Sequence, residues 1–540
     1  MTILDQFPLE KPRNSQIEVL KAIEQAFSKG YKNVLLEAPV GSGKSAIAVA
    51  CAKFYGSAHI LTPRKSLQDQ YTDDFSKEDL VSMKGRSGYI CTHLSEETPQ
   101  YDGICNKIRD GKVVFVPSGT LSCAEGPCLH NQEVKRTCTK PVMVNQIYDD
   151  TYPCPYSVAS ATAQKSSIVV HNLHSFIFQT YFAEKFQRRD ILICDEAHQM
   201  EGVLRGFAEK KFTLPLFIRD DEVPADGQYK TMAEWAGYFD GFCSAFSSKA
   251  KANGSPSARE EFESILIEME DISDTIGEKF VVSIDRDSAA RRSRFLFTPE
   301  FVGNLAEKYI LNFGEKRLLM SGTIYNKEMF CRLNGLKSEE TCFIKIGSSF
   351  PKVSRPIYIK PEYTIDTSHK MWDTNFRQMI ENIKKVMDVF PEEKGLIHAP
   401  SYQASLVVYN ALKSTGRIVM HDKDNFQETL LEFYKDKNPN VIISPICSEG
   451  VDFKGERARF QMILRVPYPN ANDPLMAKKY KEDYGYVNYK ALVTFGQQIG
   501  RVNRSETDFG VTVLMDSRFE SFIYKNKSLL PGWVKEALIY

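Results

Sequence analysis

The chain has 540 residues, enough for about three or four domains, and its 69 basic and 69 acidic side chains cancel. That balance excludes binding to nucleic acid through overall charge, so any such contact must come from local basic patches. No apolar run approaches the roughly 18 residues of a membrane span, and Met1-Thr2-Ile3-Leu4-Asp5 lacks the basic and apolar regions of a signal peptide, so a cytoplasmic location without membrane contact is expected.

The spacing of Ile17, Leu20, Ala22, Ile23 and Phe27 predicts an amphipathic helix just after Arg13 and Gln16. Asn33-Val34-Leu35-Leu36 then reads as a short strand. It runs into Glu37-Ala38-Pro39-Val40-Gly41-Ser42-Gly43-Lys44-Ser45 and a helical run from Ala46 to Lys53. Strand, glycine-containing turn and helix make the setting of a phosphate-binding P-loop. Gly41 and Gly43 let the backbone curl until successive N–H groups face one anion, and Ser42 lies between them. The helix adds the positive end of its dipole. Lys44 would reach the β- and γ-phosphates of ATP, and the Ser45 hydroxyl would hold Mg²⁺. Ala38 stands where the general pattern has glycine; the crowded part of the turn lies later.

His59-Ile60-Leu61-Thr62 reads as a buried parallel strand, followed by Pro63-Arg64-Lys65-Ser66-Leu67-Gln68. Six of the 12 cysteines come next: Cys91, Cys105, Cys123, Cys128, Cys138 and Cys154, in a stretch with little regular periodicity. In an intracellular chain such clustering points to metal or cluster ligation rather than disulfides. The scattered cysteines read as buried thiols.

Alternating α/β character returns at Ile168-Val169-Val170-His171 and at Ile191-Leu192-Ile193-Cys194, which ends in Asp195-Glu196-Ala197-His198. Residues 207–290 are polar and read as an inserted, mostly helical domain. Arg317-Leu318-Leu319-Met320 leads into Ser321-Gly322-Thr323, and Ser348-Ser349-Phe350-Pro351 links to a second α/β unit. Strands are expected there at 395–398, 417–420, 441–444, 461–464 and 510–515. Buried strands alternating with helices predict two doubly wound parallel sheets.

At a strand's carboxyl end, Asp195 would anchor Mg²⁺ and Glu196 would polarise the attacking water. Arg501 and Arg504, three apart on a presumed helix, would project from one face and reach the γ-phosphate when the two α/β units close. Arginine suits that task because it stays charged and binds phosphate bidentately. Lys185, Arg188 and Arg189, with Arg286, Arg291, Arg292 and Arg294 beside Phe295 and Phe297, interleave charge with aromatics as single-strand binding requires. A solvated helix face is the alternative.

These motifs resemble those of superfamily-two helicases. Asp195-Glu196-Ala197-His198 and Ser321-Gly322-Thr323 resemble motifs II and III, and Arg64-Lys65-Ser66-Leu67 falls where motif Ia contacts the nucleic-acid backbone. Arg13 and Gln16 resemble the upstream element that reads adenine. Gly395–Tyr402, Ser448–Phe453 with Asp452, and Gln497–Arg504 with Gln497 are similar to motifs IV, V and VI. Val466-Pro467-Tyr468-Pro469 and Asp473-Pro474 resemble the XPD/DinG branch, as do Gly85–Cys91 and Cys154-Pro155-Tyr156 at the two ends of its iron–sulfur domain.

The resemblance covers residues 13–520 and implies two RecA-like motor domains. The expected divisions are 1–84, 166–206 and 295–345 for the first, interrupted by an iron–sulfur domain at 85–165 and an arch-like insertion at 207–294, and 346–540 for the second. It implies a 4Fe–4S cluster on Cys91 and Cys154, with Cys128 and Cys138 chosen as the inner pair over Cys105 and Cys123. Zinc or free thiols are the alternatives. It implies a monomeric ATP-dependent DNA helicase moving 5′ to 3′ on single strands and unwinding tailed or forked duplex, D-loops or R-loops. With no nuclease segment ahead of Arg13, a fused exonuclease is not expected. The rival readings are a single-strand translocase that removes proteins or R-loops without processive unwinding, and a redox-sensing DNA-binding protein gated by ATP.

Overall fold

A computed structural model describes residues 1–39, 41–89, 104–109, 112–117, 155–213, 224–225, 227–231, 233–238, 240–241, 279–287, 292–448, 450–505 and 507–540. They divide into two compact units. The first comprises 1–33, 45–197 and 308–319; the second comprises 34–44, 198–307 and 320–540.

Short apolar runs form the strands of a first seven-stranded sheet. From edge to edge these are Thr341–Lys345, Asn33–Glu37, Gly314–Ser321, Arg189–Cys194, Ala58–Thr62, Ile168–Asn172 and Leu80–Met83. Ala58–Thr62 pairs in parallel with both Arg189–Cys194 and Ile168–Asn172, with Ala58 opposite Ile191 on one side and Ile168 on the other. Asn33–Glu37 and Ala58–Thr62 are buried at every residue, as strands covered on both faces must be.

A second seven-stranded sheet, wholly in the second unit, has the order Ile418–Met420, Val441–Ser444, Gly395–His398, Phe460–Ile463, Val511–Leu514, Ile357–Tyr358, Leu538–Ile539. Its pairings are parallel. One face buries Met379, Ile383 and Val386 of the helix Trp372–Val389 against Ile397, Ile443 and Met462. The other packs Val487, Leu492 and Phe495 of the helix Tyr484–Ile499 against Ile463, Leu514 and Phe519. The two expected doubly wound sheets are present.

Most of the interior of the expected helical insertion lies outside the described residues, and its described ends include a sheet. Lys210–Thr213, Arg292–Pro299 and Phe280–Asp287 form a three-stranded antiparallel sheet, and Arg292–Pro299 runs through the boundary expected near residue 295. Aromatic and β-branched residues at its root favour strand over helix. Phe295 and Phe297 are fully buried, with ring centroids 5.2 and 5.3 Å from the Trp235 ring. They form a core rather than a stacking surface for bases.

Ile104–Arg109 and Lys112–Pro117 pair as an antiparallel hairpin where little regular structure was expected. Cys105 falls on its first strand, and its side chain lies outside the described residues, as do Cys91, Cys123, Cys128, Cys138 and Cys154. Of the scattered cysteines, Cys51, Cys194, Cys331 and Cys447 are buried thiols. Among the described residues no helix is long and apolar enough to cross a membrane.

Candidate nucleotide site

In the first unit, the strand Arg189–Cys194 delivers Asp195 and Glu196 at its carboxyl end. Asp195 is buried, its Oδ1 accepting from the Glu196 N–H at 2.9 Å and its Oδ2 from the Tyr71 hydroxyl at 2.9 Å. Glu196 is half-buried with φ +49°, in the left-handed region. Ser45, in the first turn of the helix Lys44–Tyr55, lies near the Tyr71 hydroxyl that bonds Asp195. A hydroxyl and a buried carboxylate are hard oxygen donors, the chemistry Mg²⁺ prefers.

Arg13 and Gln16 open the helix Asn14–Ser28, where the Gln16 carboxamide accepts from the Arg13 N–H at 2.9 Å. Arg64 precedes the helix Lys65–Asp74, and Lys65 donates to Ser87 at 3.3 Å. Arg189 departs from the expected nucleic-acid contact. Its guanidinium donates to the carbonyls of Ala58, Ser166 and Ser167, tying strand ends together.

In the second unit, the turn after Asn33–Glu37 bends at Gly41 and Gly43, both at φ +77°. A Cβ on Gly41 would lie 2.1 Å from the Phe350 ring, so glycine is required by contact as well as by backbone. Ser42 donates to the Pro39 carbonyl at 2.7 Å, and Lys44 to the Ala38 carbonyl at 3.4 Å.

A hydrogen-bonded chain crosses the same unit. His198 Nδ1 lies 2.9 Å from Ser321 Oγ, which accepts from the Thr323 N–H at 3.1 Å. Gln497 Nε2 donates to Thr323 Oγ1 at 2.8 Å, and Arg501 donates to Gln497 Oε1 at 3.1 Å and to the Val451 carbonyl at 2.9 Å. Motifs read separately in the sequence are therefore physically joined.

Arg501 and Arg504 do not share a helix face. The helix ends at Ile499, and Asn503 turns the chain at φ +63°. Arg501 is buried by the bonds just described, whereas Arg504 pairs with Asp452 at 3.1 Å and donates its backbone N–H to Asp508 at 2.8 Å. Asp452, expected at the nucleotide, also faces Arg457 at 3.6 Å. The turn conformation of Asn503 overrides the helical spacing.

The helicase C-terminal domain family matches residues 383–537, and the type III restriction enzyme res-subunit family matches residues 9–211. A probable ATP-dependent helicase of Methanocaldococcus jannaschii is 22% identical across 96% of this chain and 94% of its own length. The ATP-dependent DNA helicase YoaA of Haemophilus influenzae is 20% identical across 94% and 91%. A solved XPD helicase superposes with a TM-score of 0.62 at 18% identity, covering 96% of this chain and 98% of its own; Xpd4 of S. tokodaii gives 0.58 at 15%, covering 98% and 100%. Across nearly its whole length the chain is similar to XPD/DinG-like superfamily-two helicases.

Three side chains of this helicase-like chain were not legible as site residues. Glu201, one turn beyond His198, is buried and accepts from Arg205 at 2.6 Å, the Tyr486 hydroxyl at 2.9 Å and Lys490 at 3.3 Å. Burial alone would raise its carboxyl, but the Lys490 and Arg205 charges and the bonds from Arg205 and Tyr486 hold it down at about 2. Glu37 is buried at the strand end, accepts the Tyr325 N–H and faces Lys345 at 3.7 Å. Its burial, only partly offset by Lys345, raises its carboxyl above the usual range. Tyr71 is the third. The sequence signal was an acid within apolar surroundings for Glu37; Glu201 and Tyr71 had none beyond helical position.

Proposed function

We propose that the chain is an ATP-dependent DNA helicase that translocates 5′ to 3′ on single-stranded DNA and opens tailed duplex, D-loop or R-loop structures. The observation that carries this reading is the hydrogen-bonded chain from His198 through Ser321, Thr323 and Gln497 to Arg501. It joins, within one unit, residues of three motifs that a helicase of this kind would use together. The 5′-to-3′ direction rests on the family resemblance.

In this reading the N–H groups around Gly41, Ser42 and Gly43 cradle the phosphates, and Lys44 offers the γ-phosphate its charge. Arg13 and Gln16 face the adenine. Ser45 and Asp195 would hold Mg²⁺, which when bound neutralises charge on the β- and γ-phosphate oxygens. Glu196 takes the proton of the attacking water. Arg501 and Arg504 meet the phosphates in the transition state, with Arg504 exchanging Asp452 for phosphate.

The cysteine-rich stretch would hold a 4Fe–4S cluster through Cys91, Cys128, Cys138 and Cys154. Its support is spacing and resemblance; among the described residues no cluster of three or more metal-binding side chains occurs. ATP hydrolysis assayed with and without single-stranded DNA tests the reading. Turnover should rise severalfold with the strand and vanish in Lys44→Ala. ATP-dependent strand binding without turnover would favour the ATP-gated binding protein.

A further inference from the structure

Tyr71 is fully buried, and its hydroxyl donates to Asp195 Oδ2 at 2.9 Å. The Ser45 side chain lies near the same hydroxyl. One phenol oxygen therefore bonds Asp195 and neighbours Ser45, the two side chains that fit Mg²⁺. The opposite oxygen of Asp195 is held by the Glu196 N–H at 2.9 Å, so both carboxylate oxygens are oriented.

The helix that carries Tyr71 is itself anchored. Gln68, one turn earlier, donates to the carbonyls of Met83 and Val170, each at 2.9 Å. The helix begins at Lys65, directly after Arg64, under two turns from Tyr71. Those are the residues at which a single strand is expected to touch this unit. A helix fixed at Gln68 and bonded to Asp195 at Tyr71 transmits displacement at its head as a change in carboxylate aim. Phenylalanine would fill the same space, so hydrogen bonding is what the hydroxyl adds.

We propose that Tyr71 is a positioning residue that aims Asp195 at the divalent cation and couples that aim to single-strand contact at Arg64 and Lys65. The assignment rests on the ATPase reading above.

Tyr71→Phe removes one oxygen and keeps the ring. The probe is Mn²⁺, whose binding to full-length protein with a non-hydrolysable ATP analogue is followed by electron paramagnetic resonance. Loss of a hydrogen bond to a charged group should weaken Mn²⁺ about tenfold. The Mg²⁺ half-saturation of hydrolysis should shift in the same direction, with turnover at saturating Mg²⁺ within about twofold of the parent. Added single-stranded DNA should tighten Mn²⁺ in the parent and not in the variant. Equal Mn²⁺ affinity in parent and variant overturns the proposal, whether or not the variant melts earlier. A parent protein that binds no Mn²⁺ with the nucleotide sinks the ATPase reading, and the Tyr71 assignment with it.

Discussion

Glu196 holds φ +49°, a conformation costly for a side chain with a Cβ and retained where surroundings fix it. Its carboxylate is half-buried, while that of Asp195 is buried and bonded through both oxygens. The two acids thus suit separate tasks in the proposed mechanism: one fixed and fit to hold a cation, the other freer to take a proton. Glu196→Gln should slow single-strand-stimulated hydrolysis by roughly a hundredfold or more, as for loss of a general base, while ATP affinity stays near that of the parent. Turnover and equilibrium nucleotide binding measured on the same preparation check this; near-normal turnover would remove Glu196 from the chemistry.

At the level of elements, the helix Met200–Ala208 and the helix Tyr484–Ile499 share one buried polar cluster. Glu201 comes from the first, and Tyr486 and Lys490 come from the second. The second helix also carries Gln497, and Gly496 beside it leaves room for Tyr325, whose hydroxyl would lie 1.7 Å from an added Cβ. Because its folded value is depressed to about 2, Glu201 stabilises fully above the ordinary glutamate value near 4.5, and that contribution is lost as pH falls from there towards 2. Thermal unfolding of Glu201→Gln should show a lower melting temperature at neutral pH and a flatter acid dependence than the parent across that window. Removing one partner of a buried ion pair typically costs about 3 kcal/mol or more. Identical acid profiles would contradict the cluster.

Strands covered on both faces, such as Ala58–Thr62 and Val441–Ser444, were legible because every residue is apolar or bonded within the sheet. The edge strands Leu80–Met83 and Leu538–Ile539, and Ile357–Tyr358 beside the latter, were not, being short and only partly buried. Gly41, Lys44, Asp195 and Gln497 were legible from motif spacing. Glu201 and Tyr71 were hidden because their partners lie 285 and 124 residues away in the chain. Basic residues beside Phe295 and Phe297 misled: tertiary burial under Trp235, not alternation, decides what those rings do.

At the scale of the whole molecule, the proposed cluster ligands lie in a stretch of sequence apart from the motifs proposed to bind ATP. Protein purified without oxygen should carry about four irons per chain if four thiolates hold a cubane. Cys91→Ser and Cys154→Ser should each lose iron and unwinding while keeping basal hydrolysis. Iron analysis and absorbance read this directly; colourless protein with one zinc would replace the cluster by a zinc site. The most direct test of the central claim is strand displacement on otherwise identical 5′-tailed and 3′-tailed duplexes, with ATP, for the parent and for Glu196→Gln. The account predicts release from the 5′-tailed duplex alone, only with ATP, and none by the variant. ATP hydrolysis by the parent without release from any tailed duplex would contradict it.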